Sequence, residues 1–102
     1  MIKKMTVEEF SKFIWDNIDE GVGFDFYEEF DEKSEDTSGS YRVEGIRFAD
    51  AMMVLANWYG GGGAYFCYET EWDNDPGEFI NEFAHYLTDN GFKDSVWVEV
   101  KI

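Results

Sequence analysis

The chain of 102 residues carries 23 Asp and Glu against eight Lys and Arg, a formal net charge of −15, and 20% of its residues are aromatic. The length predicts a single domain over residues 1–102, and the aromatic content excludes a disordered acidic tail. Such a charge repels nucleic acid and anionic membranes and attracts basic proteins, so we expect a protein partner without direct nucleic-acid or membrane binding.

The cysteine content and the apolar runs indicate a cytoplasmic protein. Cys67 is the only cysteine, so no internal disulfide forms, and a reducing compartment fits. The opening MIKKMTVEEF has no apolar run after its lysines and does not predict a signal peptide. The uncharged run 51–68 is interrupted by Asn57 and four consecutive glycines, which argues against a membrane span.

The first predicted element is a helix over residues 6–20. Thr6 and Glu9 have the spacing of a capping box, and Gly21 is positioned to end the helix. Apolar residues at three- and four-residue steps predict a core-facing stripe, and they are Val7, Phe10, Ile14 and Ile18.

A hairpin follows. Residues 22–32 alternate with a period of two, and residues 41–48 form the predicted returning strand after a polar turn over 33–40. Glu28 interrupts the apolar side, which predicts a bulge or an edge position. The residues predicted to face outward are Asp25, Tyr27, Glu29 and Asp31.

The segment 49–59 fits either a helix or a strand, since periodicity does not distinguish the two for a short apolar run. We favour a strand that pairs across the glycines 60–63 with a strand over 64–72. In that strand Phe66, Tyr68 and Trp72 share one face. The other face carries Tyr65, Cys67, Glu69 and Glu71.

The second helix has the clearest signals. Asp75 is the predicted N-cap, Pro76 the first helical residue, Glu78 the second member of a capping box and Gly91 the stop. A last strand over 95–102 alternates valines with polar residues. The predicted order is α-β-β-β-β-α-β, an α+β fold with an antiparallel-rich sheet of about four to five strands and two helices.

The carboxylates are distributed unevenly along the chain. No Lys or Arg occurs from Phe48 to Phe92, where eight acids lie. Outward positions on the strands place carboxylates about 6.6–6.8 Å apart in rows, and the second helix extends the surface. Arg–carboxylate pairing and aromatic stacking favour a basic partner. The predicted partner-binding residues are Asp25, Tyr27, Glu29, Asp31, Glu69, Glu71, Trp72, Asp73, Glu78 and Glu82.

Motifs for chemistry are weak. DNDPG (73–77) has the glycine one position too early for a calcium loop, and Ala84 stands where its last ligand belongs. Cys67 in an aromatic strand is better explained as a small packed residue than as a nucleophile activated by His85. One His and one Cys do not supply a structural zinc site. We therefore expect a protein that is not an enzyme and uses no cofactor or metal.

The acidic segments DFYEEFDEKSED (25–36) and ETEWDNDPGEF (69–79), in a small α+β chain, resemble the acidic nucleic-acid mimics of phages and mobile elements, including anti-CRISPR and antirestriction proteins. The resemblance implies an inhibitor acting in the host cytoplasm that blocks the DNA-binding surface of a nuclease or CRISPR effector. Two alternatives remain open: an immunity protein that neutralises a nuclease toxin, and a structural domain whose acidity serves solubility.

Overall fold

The computed structural model describes residues 1–59, 65–70 and 75–100, which form six strands and two helices. In chain order these are β1 (Ile2–Thr6), α1 (Val7–Asn17), β2 (Gly23–Asp31), β3 (Asp36–Phe48), β4 (Ala51–Trp58), β5 (Phe66–Thr70), α2 (Pro76–Asp89) and β6 (Ser95–Glu99). All strand ladders are antiparallel, in the sheet order β1-β6-β2-β3-β4-β5. The predicted α+β class is confirmed, whereas the predicted strand count and element order are wrong because they omit β1.

Strand β1 is the element that local sequence pattern does not predict. It pairs with β6, from Ile2 opposite Glu99 to Thr6 opposite Ser95, at the other end of the chain. Met5 packs against the core, while Lys3 and Lys4 are exposed. With so little apolar alternation, β1 depends on the neighbouring strand for its conformation.

Helix α1 begins as predicted and ends earlier. The Glu9 amide donates to Thr6 Oγ1 and the Thr6 amide to Glu9 Oε1, both at 3.1 Å, which confirms the capping box. The helix ends at Asn17 instead of residue 20, because the following residues are extended and Glu20 bridges to Gly45 of β3. A Cβ at Gly45 would lie 2.4 Å from the Asp19 carbonyl oxygen, so this crossing requires glycine.

The β2–β3 hairpin is longer than predicted. The turn is confined to residues 32–35, and β3 begins at Asp36 instead of residue 41. Tyr27 pairs with Ser40 and Glu29 with Ser38, so neither strand carries an extra residue at Glu28. Of the two predicted alternatives the edge position is confirmed, because β6 pairs with β2 only at Phe26 and Tyr27. The sequence 36–40, DTSGS, has no apolar alternation, so its strand conformation comes from pairing with β2.

The ambiguous segment 49–59 forms strand β4, as favoured. It pairs with β5 from Met52 opposite Thr70 to Ala56 opposite Phe66. The predicted glycine turn 60–63, the first residue of the predicted strand 64–72 and its last two lie outside the described residues.

Helix α2 begins and ends as predicted, with one difference at its cap. Asp75 Oδ1 accepts from the Gly77 amide at 2.8 Å, instead of from the Glu78 amide as the predicted capping box requires. The Glu78 amide donates to the Asp75 carbonyl oxygen at 3.1 Å. The helix ends at Asp89, and Gly91 follows with a φ of +96°, which confirms it as the stop.

Both helices cover the same face of the sheet. Phe10 and Ile14 of α1, with Phe79, Phe83 and Leu87 of α2, are fully buried. They join one core cluster with residues that the register places on a single face of the sheet, namely Phe26, Tyr41, Val43, Val54, Ala56, Phe66, Tyr68, Val96 and Val98. Phe10 contacts Phe26 with ring centroids 4.9 Å apart.

The other face of the sheet, called the open face below, has no layer over it in the described part of the chain. None of its described side chains is fully buried. The register assigns to its central part Lys4, Trp97, Tyr27, Asp25, Arg42, Glu44, Leu55, Cys67 and Glu69. The fold therefore has two layers, with aromatic and charged groups exposed on one side.

Candidate partner-binding surface

The β2–β3 hairpin extends beyond its neighbours as a two-stranded ribbon. Strand β6 pairs with β2 at Phe26 and Tyr27, and β4 pairs with β3 from Tyr41 onward. Among the described residues, positions 28–31 and 36–39 therefore pair only with each other. We call residues 28–39 the acidic arm, because they contain six acids and one lysine, Lys33. All of them except Phe30 and Gly39 are exposed.

Three of the predicted acids form one row on β2. Asp25, Glu29 and Asp31 follow one another along β2, and Glu29 and Asp31, two residues apart, are separated by about 6.8 Å. The alternation of side chains is interrupted after Glu28, because Phe30 contacts Trp97, which lies on the same face as Tyr27. Asp31 Oδ1 accepts from the Lys33 amide at 2.9 Å, which fixes its carboxylate at the turn. The structure thus brings together four of the ten predicted residues, with Tyr27 between the acids.

The charge along this row is not uniform, because the Arg42 guanidinium lies beside Asp25 at one end. Its Nη1 donates to Asp25 Oδ1 at 3.0 Å and its Nε lies 3.6 Å from Glu44 Oε2. Hydrogen bonding to Asp25 raises the pKa of the Arg42 guanidinium. Arg42 was not predicted to take part in this surface, since its position opposite Asp25 follows only from the register. The negative charge of Asp25 is therefore balanced by the neighbouring Arg42 guanidinium.

Glu29 and Asp31 have no such partner among the described residues. Of the charged groups that the structure describes, none lies within ion-pairing distance of the six acids of the acidic arm. Lys33 is at the tip, and Lys4 is directed at the Trp97 ring, 5.6 Å from its centroid. The acidic arm consequently keeps its negative charge.

Aromatic side chains lie at the base of the acidic arm. Phe30 contacts Trp97 with ring centroids 5.3 Å apart, and Tyr27 pairs with Trp97 across the strands. A groove of about 930 Å³ runs between Lys4, Trp97 and the arm. Burial, followed by the nearby charges of Asp25 and Glu99, raises the pKa of Tyr27, so its hydroxyl stays a neutral hydrogen-bonding group.

Glu28, the residue that interrupts the alternation, points to the helix side. Its Oε1 accepts from the Tyr41 hydroxyl at 3.2 Å. The carboxylate lies over Gly39, where an added Cβ would come within 2.7 Å of it. Burial and then Glu28 raise the pKa of Tyr41. Glu28, which interrupts the apolar alternation of β2, is therefore hydrogen-bonded at the edge of the core.

The other predicted acids lie elsewhere. Glu69 is on the open face of β5, three strands from β2, or about 14 Å. Glu78 and Glu82 are exposed on α2, in the helix layer. The described acids therefore do not form one continuous face, and the predicted extension of the β2 row onto α2 is wrong. The predicted residues Glu71, Trp72 and Asp73 lie outside the described residues.

Cys67 and His85 line the same groove between β5 and α2. Cys67 is exposed, so its prediction as a packed residue is wrong: its strand position faces the open side, which no described element covers. His85 Nε2 lies 3.4 Å from Asp89 Oδ2. No hydrogen bond joins Cys67 and His85 in the described structure, so the geometry does not assemble a nucleophile and a base.

The described residues were also compared with the requirements for metal binding and membrane crossing. Within the three described ranges, no three His, Cys, Asp or Glu side chains are grouped so as to hold a metal ion. No described helix has the length and apolar character needed to cross a bilayer. Comparison of the chain with protein-family models, with curated proteins and with solved structures found no match.

Proposed function

We propose that this protein is a non-enzymatic inhibitor that binds a basic, nucleic-acid-handling protein, a CRISPR effector or a nuclease, and blocks its DNA binding by mimicking DNA. The observation that carries the proposal is the acidic arm. It holds six carboxylates against one lysine, is exposed, and extends past the neighbouring strands. The arm, together with Tyr27 and Trp97 at its base, is the proposed contact surface.

The charge arrangement of the arm supports binding to a DNA-reading surface. Proteins that bind DNA contact its phosphates with Lys and Arg spaced along a groove. Glu29 and Asp31 present carboxylates about 6.8 Å apart on a hydrogen-bonded ribbon, so little conformational entropy is lost when they pair with such cations. Arg guanidinium groups bind carboxylates in a bidentate manner and stack on aromatic rings, which gives Tyr27 and Trp97 a role.

The shape of the arm supports the same conclusion. A two-stranded ribbon is narrow enough to enter a cleft, and the major groove of DNA itself admits such a ribbon. The acids on α1 and α2, which lie in the helix layer, contribute long-range attraction that steers the encounter.

The experiment is a DNA-binding competition. The probe proteins are a guide-loaded CRISPR effector, a restriction endonuclease and a nuclease toxin, each with a labelled DNA target. We expect the protein to lower DNA binding by at least one of them, and the inhibition to weaken as salt rises. Inhibition of none of them contradicts the proposal and favours acidity that serves solubility. Binding to the toxin away from its DNA-binding surface also contradicts mimicry and favours an immunity protein.

The arm is tested with a matched pair of variants. Glu29→Gln with Asp31→Asn removes two charges from the arm, and Glu8→Gln with Asp16→Asn removes two from the exposed side of α1. We expect the arm variant to lose inhibition about tenfold or more and the α1 variant to lose about twofold, through steering alone. Equal losses in the two variants contradict a contact made by the arm.

A further inference from the structure

The groove between β5 and α2 is a second surface, separate from the acidic arm. Strand β5 is the last strand of the sheet, and no strand in the described chain pairs with its outer edge. The groove has a volume of about 450 Å³. Phe66 and Tyr86 contribute buried residues to it, while exposed Tyr65 and Cys67 line the strand side and Glu82 lines the helix side.

The outer edge of β5 offers main-chain hydrogen bonds. An edge strand presents a row of N–H and C=O groups, and an extended peptide pairs with them as an added strand. The side chains of β5 alternate cleanly, with Phe66 and Tyr68 buried on the helix side and Cys67 and Glu69 exposed on the open face. An added strand would therefore continue both faces of the sheet.

The charge around the groove selects the occupant. Glu69, Glu78, Glu82 and Asp89 are exposed on β5 and α2, and the sequence has no Lys or Arg from Phe48 to Phe92. His85 Nε2 lies 3.4 Å from Asp89 Oδ2 on the helix side of the groove. An anionic or acidic segment would be repelled, whereas Lys and Arg side chains find carboxylates on either side of the edge.

We infer that the groove between β5 and α2 binds an extended basic segment of a partner protein, which pairs with β5 as an additional strand. Its cationic side chains on the helix side reach Glu82 and Asp89. The inference does not depend on the proposed function of the acidic arm, because β3 and β4 separate β2 from β5 in the sheet.

The probe is a fluorescein-labelled octapeptide of alternating lysine and threonine, with binding followed by fluorescence anisotropy. We expect saturable binding to the full chain. Glu82→Gln with Asp89→Asn should weaken it about fivefold, since two exposed ion pairs are lost. Glu8→Gln with Asp16→Asn, which removes the same charge from α1, should change it less than twofold. Equal weakening by the two variants overturns the inference, because it indicates binding to the overall charge.

Strand pairing is tested with two peptides N-methylated at alternate residues, one on the lysines and one on the threonines. Pairing uses the amides on one side of the peptide, so we expect one methylated peptide to lose binding at least tenfold and the other to keep it. Retained binding by both, or loss by both, contradicts strand addition.

The location is tested by NMR on the complex. We expect amide shifts and slowed hydrogen exchange in residues 66–70, with shifts in the second half of α2. Shifts confined to the acidic arm overturn the inference. A concentration-dependent dimer, seen by light scattering and protecting the same β5 amides, also overturns it and assigns the edge to a second copy of the chain.

Discussion

The two halves of strand β2 share one alternating pattern and have different surroundings. Gly23–Tyr27 lies between β3 and β6, and Phe26 is fully buried under the helices. Residues 28–31 pair with β3 alone and belong to the acidic arm. The first half contributes to stability, and the second half is free to contact a partner.

The same contrast applies to charge. Asp25 in the first half is paired with Arg42 at 3.0 Å, whereas Glu29 and Asp31 have no ion pair with any described residue. All three were equivalent members of a row in the sequence. The neighbouring strand, which carries Arg42 opposite Asp25, decides which of the described carboxylates have a cation beside them. The charged residues of one strand therefore do not determine the surface charge, because neighbouring strands supply counter-charges.

The largest expected difference between the two halves comes from their aromatic residues. Phe26→Ala should lower the free energy of unfolding by about 3–5 kcal/mol, because Phe26 is fully buried against Phe10, Tyr41 and Phe92. Phe30→Ala should cost about 1–2 kcal/mol, because Phe30 is half-buried and its ring contact is with Trp97. Urea denaturation followed by tryptophan fluorescence measures both, and equal losses would contradict the contrast.

Alkaline pH should lower the free energy of unfolding through Tyr86, which is buried on the covered side of the sheet. Burial raises the pKa of Tyr86 to about 12 from 10.0, so its proton is held more tightly in the folded state than in the unfolded state. Its contribution is complete below pH 10.0 and is lost as the pH rises towards about 12. The loss is on the order of 2–3 kcal/mol.

This prediction is checked by urea titrations across that pH range. Tyr86→Phe is the control, since it keeps the ring and removes the titrating hydroxyl that lies 3.5 Å from the Ala56 carbonyl oxygen. The variant should show a shallower fall in stability with pH than the original chain. Identical slopes would contradict the role of Tyr86.

Removal of Arg42, the cation beside Asp25, should have a smaller effect on the free energy of unfolding. Arg42→Met should lower the free energy of unfolding by about 1 kcal/mol, because Asp25 and Glu44 lose a partner that is partly exposed to solvent. Arg47→Met, whose pair with Glu20 is longer at 3.8 Å, should cost less than about 0.5 kcal/mol. Thermal and urea denaturation measure the difference, and a reversed order would show that the Arg42 pairs add nothing to stability.

The smallest effect on stability is expected in the acidic arm. Glu29→Gln with Asp31→Asn should change the free energy of unfolding by no more than about 0.5 kcal/mol, in the stabilising direction, since it relieves repulsion among carboxylates. The gain should disappear at about 0.5 M salt, where the Debye length is only a few ångströms. A loss above about 1 kcal/mol would contradict this prediction, because it would show that these carboxylates stabilise the fold.

Much of the fold followed from local signals. The caps at Thr6 and Asp75 and the stop at Gly91 marked three helix ends, and the alternation of Phe66 and Tyr68 marked the buried side of β5. The C-terminal end of α1 was missed, because the close approach of Asp19 to Gly45 is a tertiary contact. Strand β1 and the first part of β3 were missed for the same reason, since their conformation depends on pairing and not on their own pattern.

The candidate surface was predicted less completely. Asp25 and Tyr27 share the open face, as their spacing of two requires, whereas the alternation is interrupted after Glu28, where Phe30 contacts Trp97. Glu69, Glu78 and Glu82 are on other parts of the molecule, because sequence spacing gives no information on the distance between β2, β5 and α2. Arg42, which lies at the base of the acidic arm, was not assigned to the surface, since it reaches Asp25 as a cross-strand neighbour.

The sequence by itself determined the net charge, the α+β class, the two amphipathic helices and the alternation of each long strand, because these depend on composition and on residues a few positions apart. The tertiary structure decided which strands are neighbours, how far the β2–β3 hairpin extends beyond them and which carboxylates meet a cation. Those properties depend on contacts between distant parts of the chain, and they separate a neutralised carboxylate such as Asp25 from a free one such as Glu29.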